Sequence, residues 1–122
     1  MSAAVAIQSK SANVWFSGLP DKLAEAARNY QLAQTPDWRT LDELSEATLF
    51  EGMEAYGESA VVENGENIAP GRVHVKLVYN EPDETLTIHD SFPARVFFDV
   101  NKMKETVEIT RVEADTSSLL ED

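Results

Sequence analysis

The sequence predicts an α+β fold, an antiparallel sheet of four to six strands with two helices packed on one face. Three observations predict it. Between Arg72 and Glu113, runs of apolar and polar residues alternate at period two and are broken by turn-forming residues, the pattern of an antiparallel sheet with one buried face. Upstream, Leu23, Ala26, Ala27, Tyr30 and Ala33 recur at spacings of three and four, which draws one apolar stripe on a helix. Thr40-Leu-Asp-Glu43 has the form of a capping box and marks the start of a second helix.

The N-terminal stretch holds two short apolar runs, Ala3 to Ile7 and Asn13 to Phe16, around the polar Gln8 to Ser11. They read as a first hairpin, or as one strand after a loose terminus. Trp15 and Phe16 are large enough that at least one ring belongs in a core or an interface. Pro20 and Asp21 suit a helix's first turn, and that helix is expected over Asp21–Ala33. Pro36 ends it by disfavouring helical geometry at Thr35. The second helix is expected to run from Thr40 to about Tyr56, with Gly57 closing its C-terminus. Its apolar residues Leu41, Leu44, Phe50, Met53 and Tyr56 are spread round the cylinder. Asn64-Gly65 is a type I′ turn signal, so residues 59–71 hold a small edge hairpin or a loop with one bend.

The period-two runs define two hairpins. In the first, Asn80 to Asp83 turns the chain, and the expected register pairs Tyr79 with Glu84, Leu77 with Leu86 and Val75 with Ile88. In the second, Asn101 to Lys104 turns the chain and Phe98 pairs with Val107 and Val96 with Ile109. Val112 falls out of step with Val107 and Ile109, which calls for a bulge or a strand end near Arg111. This register buries Val75, Leu77, Leu86, Ile88, Val96, Phe98, Val107 and Ile109 together. It turns Arg72, His74, Lys76, His89, Arg95 and Phe97 to the opposite face, with His74 directly across from His89. Phe97 is there left among polar neighbours, an interface residue or an ordinary exposed one. Residues 1–113 form one domain, and 114–122 read as an acidic, frayed tail.

A chain of 122 residues with 43% hydrophobic content can bury one core unaided. It has no cysteine, which removes disulfides, thiolate metal sites and cysteine nucleophiles and fits a reducing, cytoplasmic setting. No apolar run approaches a membrane span, so no membrane partner is expected. With 22 acidic residues against 10 basic ones, net charge is −12, which disfavours direct contact with nucleic acid. The acidity serves solubility or attraction to a basic partner.

Chemistry-bearing motifs are sparse. His74 and His89, if opposed, bring two imidazoles within reach of one ion, but a zinc site needs a third ligand, and Asp90 points to the other face. No metal and no cofactor is therefore expected. Glycine-rich phosphate loops, Gly-x-Ser-x-Gly and His-Glu-x-x-His are absent from the sequence. Between residues 41 and 58 there are six carboxylates and no cation. The function expected from these features is a small acidic protein-binding module of the kind seen among inhibitors, antitoxins, immunity proteins and phage anti-defence proteins. Its partner would be a basic protein surface, such as that of a nucleic-acid-processing enzyme. Glu43, Glu46, Glu51 and Glu54 on the second helix would make the contact, and Arg72, His74, Lys76, His89, Arg95 and Phe97 offer a second surface on the open sheet. The alternatives are a self-associating assembly protein and, third, a small enzyme or ligand binder that uses His74 and His89.

Overall fold

The structure, a computed structural model, describes residues 15–117. Leu23, Ala26 and Ala27 of the expected stripe lie on helix α1 (Leu19–Asn29), which starts two residues before and ends four residues short of the expected Asp21–Ala33. Pro20 and Asp21 are in its first turn, Arg28 in its last, and it buries Leu19, Leu23 and Ala27. It ends at Tyr30, whose backbone is extended, and two short 3-10 turns (Leu32–Gln34 and Pro36–Trp38) lead into the single-turn helix α2 (Arg39–Asp42). Five strands follow: β1 (Ala47–Ala55), β2 (Val61–Glu63), β3 (Glu66–Asn80), β4 (Thr85–Asn101) and β5 (Thr106–Ala114). All pairings are antiparallel, in the order β1-β3-β4-β5, and β2 pairs with the start of β3 below β1. Among the described residues the architecture is thus α+β, a five-stranded antiparallel sheet with two helices. Helix α1 lies against β1 and β5, the two outer strands, so the sheet curves around it. The concave face buries Met53, Val73, Val75, Leu77, Phe92, Val96, Phe98, Ile109 and Val112 with Leu23 and Leu41 from the helices. Among the described residues no helix is long and apolar enough to cross a membrane.

The long second helix expected over residues 40–56 is the main correction. One turn forms, without a side-chain cap, and the rest is strand β1. A bulge explains the misleading spacing. Phe50 pairs with Val75 and Gly52 with His74, so Glu51 is an extra residue that shifts the strand's phase. Phe50 and Met53 both face the core although three residues apart, and that spacing imitates a helix. Thr48-Leu-Phe50 favours a pleated surface and Gly52 weakens a helix by about 1 kcal/mol relative to alanine. Gly57 closes no helix.

The hairpins form with the expected faces but each two residues out of the expected register. Tyr79 pairs with Leu86, Leu77 with Ile88 and Val75 with Asp90. In the other, Asn101 pairs with Thr106, Val100 with Val107 and Phe98 with Ile109. A slip of two leaves every side chain on its face. The first turn is Glu81 to Glu84, closed by the Glu81 amide donating to the Glu84 carbonyl at 2.7 Å. The bulge expected near Arg111 is present. Phe97 pairs with Arg111 and Phe98 with Ile109, so Thr110 is the extra residue and Val112 returns to the core opposite Val96. Asn64 and Gly65 take φ of 52° and 80° between β2 and β3, as a type I′ turn requires.

Strand β4 runs unbroken through Ser91-Phe-Pro93, so the two hairpins are one meander of three long strands. Because β5 ends opposite Ala94, the far half of β4 has no neighbour on that side among the described residues. Leu86 and Ile88, expected in the core, are 46% and 40% exposed there, and Val107 is only half-buried. Phe16 is buried, and Trp15 packs on Phe98 with ring centroids 6.2 Å apart. Past β5, the Asp115 amide donates to Pro93 at 2.8 Å and Thr116 is buried. The apolar runs of residues 1–14 and the end of the tail, Leu119 and Leu120 included, lie outside the described residues.

Candidate functional site

The convex face of the sheet carries Arg72, His74 and Lys76 on β3 and His89, Arg95 and Phe97 on β4, the face expected for them. The acids of β1 share it. Glu54 pairs in register with Arg72, and its carboxylate lies 3.6 Å from His74 Nε2. Glu51, in the bulge, reaches His89 Nδ1 at 3.0 Å. The molecule is therefore not divided into a basic sheet and an acidic helical layer. With 51–54 in a strand, those carboxylates lie beside the imidazoles they were expected to oppose across the fold.

The two histidines are not opposite each other. His74 pairs with Ser91 and His89 with Lys76, a consequence of the two-residue slip, and each imidazole has its own carboxylate. Among the described residues no group of three or more His, Asp or Glu side chains is arranged to hold a metal ion. A carboxylate beside an imidazole orients the ring, but Glu54 and His89 are well exposed, where such pairs are worth little.

Tyr56 donates a short hydrogen bond to Glu54. That bond is the main cause that lowers the Glu54 carboxyl below its ordinary value, helped by the charges of His74 and Arg72. The same bond holds the Tyr56 hydroxyl above its ordinary value. A carboxyl lowered in the folded state stabilises the protein above the ordinary carboxylate range, and loses that contribution as pH falls through the folded-state value. In Tyr56→Phe, the Glu54 midpoint is expected to rise when followed by carboxyl NMR titration. An unmoved midpoint would show that the hydroxyl does not act on it.

Phe97 and Arg95 belong to a structural cluster at the opposite end. Phe97 is 3% exposed rather than stranded on an open surface. Arg111 lies over its ring at 3.8 Å and Arg95 at 5.3 Å, and Ile68, its partner on β3, is buried beside it. Glu63 and Glu113 hold Arg95 at 3.0 and 3.4 Å, while Glu113 and Glu66 lie 3.2 and 3.8 Å from Arg111. No local pattern announces this canopy, because Arg111 comes to Phe97 only through the Thr110 bulge.

The remaining members of the expected acidic set lie elsewhere. The Glu46 amide donates to Val78, and its carboxylate accepts from the Asn80 amide, which holds it at the β3–β4 turn. Glu43 adjoins Leu44, whose carbonyl accepts from the Tyr79 hydroxyl at 3.2 Å. The turn itself adds Glu81, Asp83 and Glu84, all exposed. These three were not among the expected site residues, although three acids in four turn residues were legible. At this end of the molecule carboxylates from two distant segments meet, and neither 41–58 nor 80–85 holds a Lys or Arg. A groove of about 650 Å³ between α1 and β1 is lined instead by both signs, Asp21, Arg28, Glu51, Glu54, Glu58 and His74 among them. Comparison with protein-family models, curated proteins and solved structures finds no match.

Proposed function

We propose that the protein is a binding module that engages a basic surface of another protein through the acidic end formed by the β3–β4 turn and the segment before β1. The observation that carries this reading is that Glu46 is held at Asn80, which adds the 41–46 acids to Glu81, Asp83 and Glu84 without an intervening cation. Glu51 and Glu54 are occupied by the histidines and play a smaller part. Solubility alone is served as well by mixed charges, whereas segregated charge raises the association rate with a complementary partner.

Reversing Glu81, Asp83 and Glu84 to Lys tests the reading, since these side chains are exposed in the turn. Proteins captured from a lysate at low salt by the native chain are expected to be lost from the reversed one. They are also expected to be lost from the native chain above a few tenths molar salt, where the screening length is only several ångströms. Equal capture by both chains would remove the acidic end from consideration.

A further inference from the structure

The far half of β4 is a strand edge with nothing on it among the described residues. β3 pairs with β4 along its whole length, but β5 opposes it only from Ala94 to Asn101. The direction of the backbone groups follows from two bonds. The Pro93 carbonyl accepts from Asp115 on the β5 side, and the Glu84 carbonyl accepts from Glu81 on the β3 side. Successive residues of a strand alternate in the side to which they turn N–H and C=O. Residues 85, 87, 89 and 91 therefore face the same way as Pro93, toward the free edge. Ser91 agrees, since its amide is taken by the Asp90 side chain at 2.8 Å rather than by a strand. Thr85, Thr87 and His89 are left facing out.

Natural sheets blunt such edges with bulges, proline, lysine or very short strands. Thr85-Leu-Thr-Ile-His-Asp-Ser91 has none of these: its register with β3 is unbroken and Pro93 comes only after it. Two exposed apolar side chains, Leu86 and Ile88, flank it on the concave side, and threonines flank it on the other. Residues 81–90 carry Glu81, Asp83, Glu84 and Asp90 and no Lys or Arg. A second copy would bring two such acidic rows together, so the charge favours a basic occupant over self-pairing.

We infer that Thr85–Ser91 is a strand-addition site for an extended segment of a basic partner protein. The added strand hydrogen-bonds to Thr85, Thr87 and His89. Its apolar side chains lie beside Leu86 and Ile88, and Lys or Arg at the end of the segment meets the turn acids Glu81, Asp83 and Glu84. This inference rests on the preceding reading that the partner is basic, and adds how it is held. Main-chain bonds supply affinity in this mode, and alternate side chains supply specificity.

The test uses the full chain, labelled with nitrogen-15, and a blocked octapeptide of alternating Val and Lys as probe. Amides of Thr87 and His89 are expected to exchange freely in the unbound protein and to slow by about tenfold or more at saturation. An octapeptide N-methylated at alternate residues, and one with Glu for Lys, are each expected to bind about tenfold or more weakly. Ile88→Asp, at a half-exposed position, is expected to weaken the native probe while leaving the spectrum of α1 and β5 in place. If Thr87 and His89 are already protected in the unbound protein, the edge is covered by a second copy or by the chain's own termini, and the inference fails. Sedimentation distinguishes those two occupants. If the N-methylated peptide binds as well, with shifts confined to Glu81–Glu84, strand addition fails while the basic-partner reading survives. Absence of binding by either Lys peptide at low salt would overturn both.

Discussion

Truncating Phe98 to alanine is expected to destabilise the fold by about 3–5 kcal/mol, the usual range for a large buried aromatic. Phe98 is 2% exposed, packs against Trp15, and sits where the Thr110 bulge lets Ile109 and Val112 face the same core. Its loss leaves a cavity that the paired strands on both sides keep from collapsing. The neighbouring truncation, Phe97→Ala, is expected to reach the lower part of that range although its ring lies on the opposite face. Phe97 is covered by Ile68 and two guanidinium groups rather than by a helix. Urea unfolding of both variants checks this. A cost below about 1 kcal/mol for Phe97→Ala would mean that the arginines do not cover it in solution.

Gly71→Ala is expected to cost at least about 2–3 kcal/mol, near the upper end for overpacking a core. A methyl group there would lie 2.2 Å from the backbone carbonyl oxygen of Glu54 and 3.0 Å from Val96 Cγ2. The oxygen belongs to β1, so relief requires separating β1 from β3. Because β1 also carries Glu51 and Glu54, the displaced strand is expected to loosen the His89 and His74 contacts. Thermal unfolding and the histidine ring signals report the two effects together. A fully stable variant with unchanged signals would show that β1 does not approach Gly71 this closely.

What was legible in the sequence was whatever one strand or one helix declares by itself. The faces of β3, β4 and β5 follow from alternation, and the stripe of α1 from its spacing. Register was not legible to the residue, because a slip of two exchanges partners without moving any side chain across the sheet, and this alone separated His74 from His89. Bulges cut both ways. Val112 announced one by falling out of step, whereas the Glu51 bulge hid inside a spacing that a helix also produces. The consequence for the candidate site was large. Four acids expected on one helix divide between the histidines of the sheet face and the acidic end. That end depends on a contact between Glu46 and Asn80, 34 residues apart, which no local pattern contains. The exposure of Leu86 and Ile88 was equally hidden, since it depends on where β5 stops.

Recruitment of a basic partner by the segregated acidic charge at the β3–β4 end, proposed above, is checked by the association rate of a captured partner, measured against ionic strength for the native chain and for Glu81, Asp83 and Glu84 reversed to Lys. The native rate is expected to fall steeply with salt, by about tenfold or more between low and physiological ionic strength, and the reversed chain to associate slowly at every salt concentration. A native rate that is independent of salt, or equal rates for the two chains, would contradict the claim.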